Sequence, residues 1–369
     1  MKTIIVSAVN ITEAGTLTIL NDVLSTLSSI CTQERYKVIA LVYDKKRCYY
    51  NNIKYIDIKS SKRNWLNRLY YEFFVFRKIS KFFKPYMWLS LHDITPNVIA
   101  NKRIVYCHNA TPFYKFRVKD IRFDLKFVLF VLFYKYLYKI NIRKNDAIIV
   151  QQDWTRESFS EMYSYPKEKI IVSYPIDNYV RKPHTSHVDV VDNSINFFFP
   201  AIARVFKNFE VICKAVEILE KEGVCNYSVI FTIDGTENKY SKWIYSKYNH
   251  LKTISFIGRL DKETVNKYYE NCSCLLFPSR LESWGLPISE FSKYDRPMII
   301  SDLKYAHETA SNSRFVAYFN PNDPIELASL MKKVIYNDTS SFINVGMKKI
   351  NKPFFKTWND LFTYLLNYV

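Results

Sequence analysis

The chain has 369 residues, room for two domains of ordinary size, and about half of them are apolar, so substantial cores are available. Its formal net charge of +18 asks for an anionic partner or a solvated basic face. Seven cysteines without a Cys-x-x-Cys spacing speak against a disulfide framework and fit a reducing cytosol. None of the six glycines forms a G-x-G-x-x-G or Walker loop, which excludes the usual dinucleotide and P-loop sites.

In chain order, residues 1–9 read as a first strand rather than a signal peptide, because the apolar run is short and Glu13 follows. Apolar spacing of three and four predicts a helix over 16–27. Further strands are expected at 38–43, 54–58, 88–91, 103–107 and 147–150. Two stretches between them are basic and aromatic. The first holds Lys62, Arg63, Arg68, Arg77, Lys78, Lys81 and Lys84 against a single Glu72. The second holds Lys115, Arg117, Lys119, Arg122, Lys126, Lys135, Lys139, Arg143 and Lys144 against Asp120 and Asp124. Such helices suit an anionic membrane surface; a solvated helix face is the plainer alternative. No nucleic-acid module appears, and no nucleic-acid partner is expected. The longest apolar stretch, 127–133, is far short of the roughly 20 residues that cross a bilayer.

Pro, Asp, Ser and His cluster between 175 and 193, the expected linker. After it come a strand at 196–202, a helix at 208–221, strands at 227–233 and 253–257, a helix at 262–270 and a strand at 274–277. A final helix is expected over 353–369, with Trp358, Leu361, Phe362 and Leu365 on one face. Strand–helix alternation argues for parallel sheets.

The segment after the strand at 274–277 carries the chemistry. Glu282-Ser-Trp-Gly-Leu-Pro-Ile-Ser-Glu290 sets two carboxylates eight positions apart around a Gly-x-Pro turn, followed by another strand at 297–300. Pro287 suits the first turn of a helix. The loop therefore lies at the carboxyl edge of a parallel sheet, where ligands bind. Amides from Gly285 onward suit a phosphate and the carboxylates suit hydroxyls. Upstream, Arg204 and Lys207 lie between a strand and a helix, where two cations can meet a pyrophosphate.

Pro278-Ser279-x-x-Glu282-x-x-Gly285-Leu286-Pro287-x-x-Glu290 resembles the E-x7-E signature of the retaining family 4 glycosyltransferases of the GT-B fold. Tyr294-x-Arg296-Pro297-Met298-Ile299-Ile300-Ser301-Asp302 and Asn320-Pro321-x-Asp323-Pro324 continue the resemblance. It implies an α/β protein with two Rossmann-like domains facing across a cleft. Residues 1–175 would form the N-terminal acceptor domain, 176–194 the linker, 195–352 the nucleotide-sugar domain and 353–369 a helix crossing back to the first domain.

The same resemblance assigns roles. Arg204 and Lys207 neutralise the leaving diphosphate, although the family more often puts more residues between the two. Glu290 takes the ribose hydroxyls, and Glu282 stands near the donor sugar as a catalytic or positioning group. Ser283, Trp284, Gly285 and Leu286 offer amides to the phosphates, while Gly258 and Arg259 line the base pocket. Gly15 resembles the glycine that lets the diphosphate approach, though the family usually has two and here Ala14 precedes it. His108, after a strand, corresponds to a histidine facing the donor sugar and is the second catalytic candidate. His92 and Asp93, after the preceding strand, are acceptor-side candidates, Asp93 as the acceptor's base. No D-x-D triplet occurs, so protein cations replace the usual metal clamp; neither metal nor cofactor is expected.

The implied activity is transfer of a sugar from a nucleotide-sugar to a glycan acceptor. The acceptor expected is a lipid-linked intermediate of bacterial surface polysaccharide, met at the cytoplasmic face of the membrane. An epimerase or phosphorylase on the same scaffold is one alternative. A non-catalytic membrane- or nucleic-acid-binding module is the other.

Overall fold

Runs of Val, Ile and Phe with no polar alternation form strands covered on both faces, as parallel sheets require. In the computed structural model, which describes residues 1–12, 14–33, 36–175 and 195–369, the first half supplies β1 (Lys2–Ala8), β2 (Tyr36–Val42), β3 (Lys54–Asp57), β4 (Met87–Ser90), β5 (Lys102–Cys107), β6 (Ala147–Val150) and β7 (Ile170–Ser173). The second half supplies β8 (Ile195–Phe199), β9 (Tyr227–Phe231), β10 (Ile254–Phe256), β11 (Cys274–Phe277), β12 (Met298–Ser301) and β13 (Val316–Phe319), and β14 (Phe354–Phe355) comes last. The first sheet runs β14-β7-β6-β5-β4-β1-β2-β3 and the second β10-β9-β8-β11-β12-β13. Every pairing is parallel. Strand order reverses between β1 and β4 in one sheet and between β8 and β11 in the other.

The chain divides into two compact units, Met1–Pro112 with Leu132–Tyr179 and Ile350–Val369, and Phe113–Val131 with Val180–Lys349. The expected linker, 176–194, lies outside the described residues. In the first unit Ile4, Val6 and Ala8 point into one core with Leu20, Leu24 and Leu27, while Ile5 and Val9 join Phe76 and Trp88 in another. The first helix runs Ala14–Gln33, longer at both ends than its apolar stripe suggests.

The C-terminal helix packs on the first unit, as expected of a helix that crosses back. It starts later than 353, however. Phe354 and Phe355 instead extend the first sheet beside Val172 and Ser173, and the helix is Trp358–Asn367, capped by Thr357. Trp358, Leu361, Phe362 and Leu365 are all buried in the core under β1. Lys102 donates 2.9 Å bonds to the Leu365 and Leu366 carbonyls, placing a cation on the negative end of the helix. Among the described residues no helix is long and apolar enough to cross a membrane.

Residues 113–131, expected with the N-terminal domain, pack instead with the second unit. The reason is Glu210, a buried carboxylate in the first turn of the helix Phe209–Lys221. The Lys119 ammonium and the Tyr240 hydroxyl both donate to it, and the Arg117 guanidinium stands 3.6 Å away. The Phe123 ring lies 4.9 Å from that of Trp243. Arg117 and Lys119, though partly exposed, thus direct their charge at a buried carboxylate.

Burial pushes the Glu210 carboxyl up, but the Lys119 charge and hydrogen bond, with Tyr240 and Arg117, outweigh it and leave the group below its ordinary value. Desolvation wins on Lys119, whose ammonium is also held low. In acid, therefore, the carboxylate is the partner that changes state. A carboxyl lowered by folding stabilises the fold above its unfolded pKa, and the gain is lost as pH falls through the lowered value. The stability difference between wild type and Glu210→Gln, from urea titrations, is expected to be constant above about pH 5 and to close progressively in acid.

Candidate active site

The sheet reversal between β8 and β11 sends two loops in opposite directions and opens a crevice at their carboxyl ends. The loop after β8 carries Arg204 and a short turn, Val205–Lys207, before Asn208 leads into the next helix. Asn208 takes a left-handed conformation, φ 62°, which asparagine tolerates better than most residues. Its buried side-chain amide donates to the carbonyls of Pro278 (3.3 Å) and Pro321 (2.9 Å). Arg280 completes the junction: its guanidinium reaches Asn208 Oδ1 (3.2 Å), the Pro321 carbonyl (2.6 Å) and Asn322 Oδ1 (2.6 Å), and its N–H donates to the Phe206 carbonyl. Three loops are thereby joined at one point. Nothing in the local spacing marks Arg280 or Asn208 as site residues, and the Pro321 carbonyl gains its role only through the fold.

Lys207 and Glu282 meet across the crevice, Nζ to Oε1 2.5 Å, with side chains 12% and 14% exposed. The ammonium also lies 5.4 Å from the Phe277 ring centre and 5.8 Å from that of Phe206. A cation and an anion with little water, backed by aromatic faces, make a site of strong local field. Arg204 is half exposed and pairs with Asp124 at 3.3 Å.

Gly285 precedes the short helix Leu286–Phe291 at φ 92°, where a side chain would be strained, and Pro287 sits in its first turn. Ser283 is partly exposed and Leu286 more so. Trp284 is turned inward: its indole donates to Ser289 Oγ at 3.1 Å and its carbonyl accepts from Thr309. Its side chain therefore packs the loop. Glu290, on the helix, has partners of its own, Tyr269 OH at 3.2 Å and Lys262 Nζ at 3.1 Å. Gly258 has φ 75°, and a Cβ there would stand 3.0 Å from Asp234 Oδ2. Hydrogen bonds from the Thr236 hydroxyl and amide fix Asp234 and hold its carboxyl below the usual value. The neighbouring Arg259 is exposed.

In the first unit, Gly15 lies in the first turn of the helix after β1, and the other candidates follow β4 and β5. His92 is buried, its Nδ1 2.9 Å from Oε1 of the fully buried Glu72, and its carbonyl accepts from Arg68 Nη2 at 2.7 Å. Such a ring supports the turn from within and is not presented to an acceptor. Asp93, at φ 72°, is buried as well. Oδ1 accepts the amides of His108 (2.9 Å) and Asn109 (3.2 Å), and Oδ2 accepts from Tyr134 OH (3.2 Å). His108 Nε2 stands 3.6 Å from the same carboxylate, with its side chain 19% exposed. Of these three, His108 alone reaches solvent. Asp93 acts here as its support.

Two parallel sheets of Rossmann order, each with candidate residues at its reversal, define the GT-B class of two-domain α/β proteins. Residues 188–344 match the family described as Glycosyl transferases group 1, and the protein is a glycosyltransferase. It is 22% identical over 323 residues to the O-antigen chain mannosyltransferase RfbU of Salmonella typhimurium, covering 86% of this chain and 84% of that one. The structure of HepE from Anabaena, in complex with UDP and glucose, superimposes with a TM-score of 0.65 at 13% identity over 100% of both chains. That of the lipopolysaccharide outer core galactosyltransferase WaaB gives 0.63 at 12% identity, covering 99% of each. At these identities the two structures bear on the fold alone.

Arg280→Lys keeps the charge but loses the fork that serves three acceptors at once. It is expected to cost about 1–3 kcal/mol of stability, read as a lowered urea midpoint, because buried acceptors lose their donor.

Proposed function

We propose that the enzyme moves a sugar, with retention of anomeric configuration, from a nucleotide-sugar held on the second unit to a lipid-linked glycan acceptor. The observation that carries this reading is the Lys207–Glu282 pair at the sheet reversal, with Glu290 one short helix away. Breaking the bond between the anomeric carbon and the phosphate oxygen places growing negative charge on the departing diphosphate. Lys207 and Arg204 meet that charge, so they act on the transition state rather than only on the bound donor. Glu290 accepts the ribose hydroxyls, and Glu282 orients the donor sugar. Amides of residues 283–286 contribute to phosphate binding, and Gly258 and Arg259 border the base. His108, held by Asp93, serves the sugar during transfer. Cations of the protein take the part of a metal. HepE in complex with UDP and glucose, and RfbU and WaaB as an O-antigen chain mannosyltransferase and an outer core galactosyltransferase, support a nucleotide-sugar donor and a surface-glycan acceptor.

A membrane surface is the proposed meeting place with the acceptor. On the helix Leu125–Lys139, Leu125, Leu129, Leu132, Phe133 and Tyr136 are exposed and recur at three- and four-residue spacing, so they form one stripe. Lys126, Lys135 and Lys139 flank it. Trp65, Leu66, Tyr70 and Phe74, near Arg63 and Arg77, form a second exposed aromatic and basic patch. Apolar stripes bordered by lysine are suited to the headgroup boundary of an anionic bilayer.

A thermal-shift panel of nucleotide-sugars tests the donor: a true donor at 100 times its dissociation constant contributes about 2.7 kcal/mol, and no response to any of them would sink the reading. With the donor found, Lys207→Ala should lower kcat by about 10²–10³ without unfolding the protein, and a chelator should leave wild-type turnover unchanged. In sedimentation with vesicles, phosphatidylglycerol should carry the protein down and phosphatidylcholine should not, with Phe133→Glu abolishing the difference. Equal binding to both lipids would contradict the membrane assignment.

A further inference from the structure

The loop bearing Arg204 and Lys207 has little regular structure of its own, yet residues from a distant part of the chain grip it at four points. Arg117 Nη2 donates to the Val205 carbonyl at 3.3 Å, in the middle of the turn whose closing bond runs from Lys207 N–H to the Arg204 carbonyl. The Phe206 ring packs against Phe127, 5.2 Å between centres, and against Tyr114 at 6.5 Å. Asp124 takes the Arg204 guanidinium. The grip is itself anchored. Arg117 also bonds Asp120 Oδ1 at 3.1 Å, Tyr114 OH donates to Asp120 Oδ2 at 2.9 Å, and Glu210 draws in Arg117 and Lys119 from below. All of these residues belong to the second unit.

We infer that residues 114–127 form a clasp that sets the position of the phosphate-binding loop, and that Arg117 is its positioning residue. The inference rests on the donor reading above and deepens it. Arg117 fixes the backbone two residues before Lys207, and Phe127 and Tyr114 fix the Phe206 ring over which the Lys207 ammonium lies. Lys207 thus reaches its place through a guanidinium that touches no ligand itself. A displacement of about 1 Å at such a group is enough for a hundredfold loss. Lysine cannot replace Arg117, because one ammonium cannot span Val205, Asp120 and Glu210 in a planar fork. Lys119 shares the Glu210 anchor but has no bond to the loop, so it separates positioning from general support.

The test is calorimetric binding of UDP and GDP to wild type, Arg117→Ala, Arg117→Lys, Lys119→Ala, Lys207→Ala and the Arg117→Ala/Lys207→Ala double variant, each confirmed folded by its melting curve. Wild type should bind one of the two diphosphates. Arg117→Ala should weaken binding about tenfold or more, as loss of a charged hydrogen bond allows. Arg117→Lys should recover little of it, and it also serves where the alanine variant does not fold. Lys119→Ala should stay within about twofold of wild type, and the double variant should be no worse than Lys207→Ala alone, since one residue acts through the other. Wild-type affinity in a folded Arg117 variant, or full additivity in the double, overturns the clasp while leaving the donor reading standing. Absence of binding by wild type to either diphosphate overturns both.

Discussion

Much of this structure follows from one constraint: in an open parallel sheet with helices on both faces, right-handed crossovers make the strand order reverse somewhere, and the loops leaving the two central strands part company there. In the second sheet these strands are β8 and β11, and the parting loops bring a lysine from one and a glutamate from the other to within 2.5 Å. A crevice of this kind exists in any doubly wound sheet. What is particular here is how firmly its lips are fixed. Asn208 and Arg280 tie the loops to one another and to the Asn-Pro corner at 320–321, so the opposed charges rest on a rigid frame. Preorganised charge is the form of electrostatic stabilisation that needs least rearrangement as a reaction proceeds.

How far this was legible beforehand depended on how local the cause was. The strand, loop, helix and strand around Glu282 could be read directly, because a buried apolar run, a glycine at positive φ and a proline in the first turn all lie within thirty residues of each other. Arg204 and Lys207 were placed correctly between strand and helix for the same reason. The burial of His92 could not be read, since its partner Glu72 stands on a different element and nothing in the spacing links the two. That the Trp284 side chain packs inward, its indole on Ser289, could not be read from its place beside a glycine. The allegiance of residues 113–131 was hidden most deeply. Neighbouring sequence placed them with β5, but their energetic partner is Glu210, some ninety positions on.

That same contact redistributes the basic charge. A count of lysines and arginines treats them all as offered to solvent, yet Arg117 and Lys119 close on a buried carboxylate, Arg68 closes on the His92 carbonyl, and Arg280 is a structural fork. Lys126 and Lys139, by contrast, are exposed beside exposed apolar side chains. Position, not the net figure of +18, gives the surface its character.

The helix Leu125–Lys139 has an inner side as well as the exposed stripe. Tyr134 donates from it to the Asp93 carboxylate, and Tyr138 donates at 3.1 Å to the carbonyl of Asn109. Two phenols a turn apart act like the key on a shaft. The helix cannot roll about its long axis without releasing both, so the compass bearing of its oily ridge is indexed from within, by the turn that carries His108.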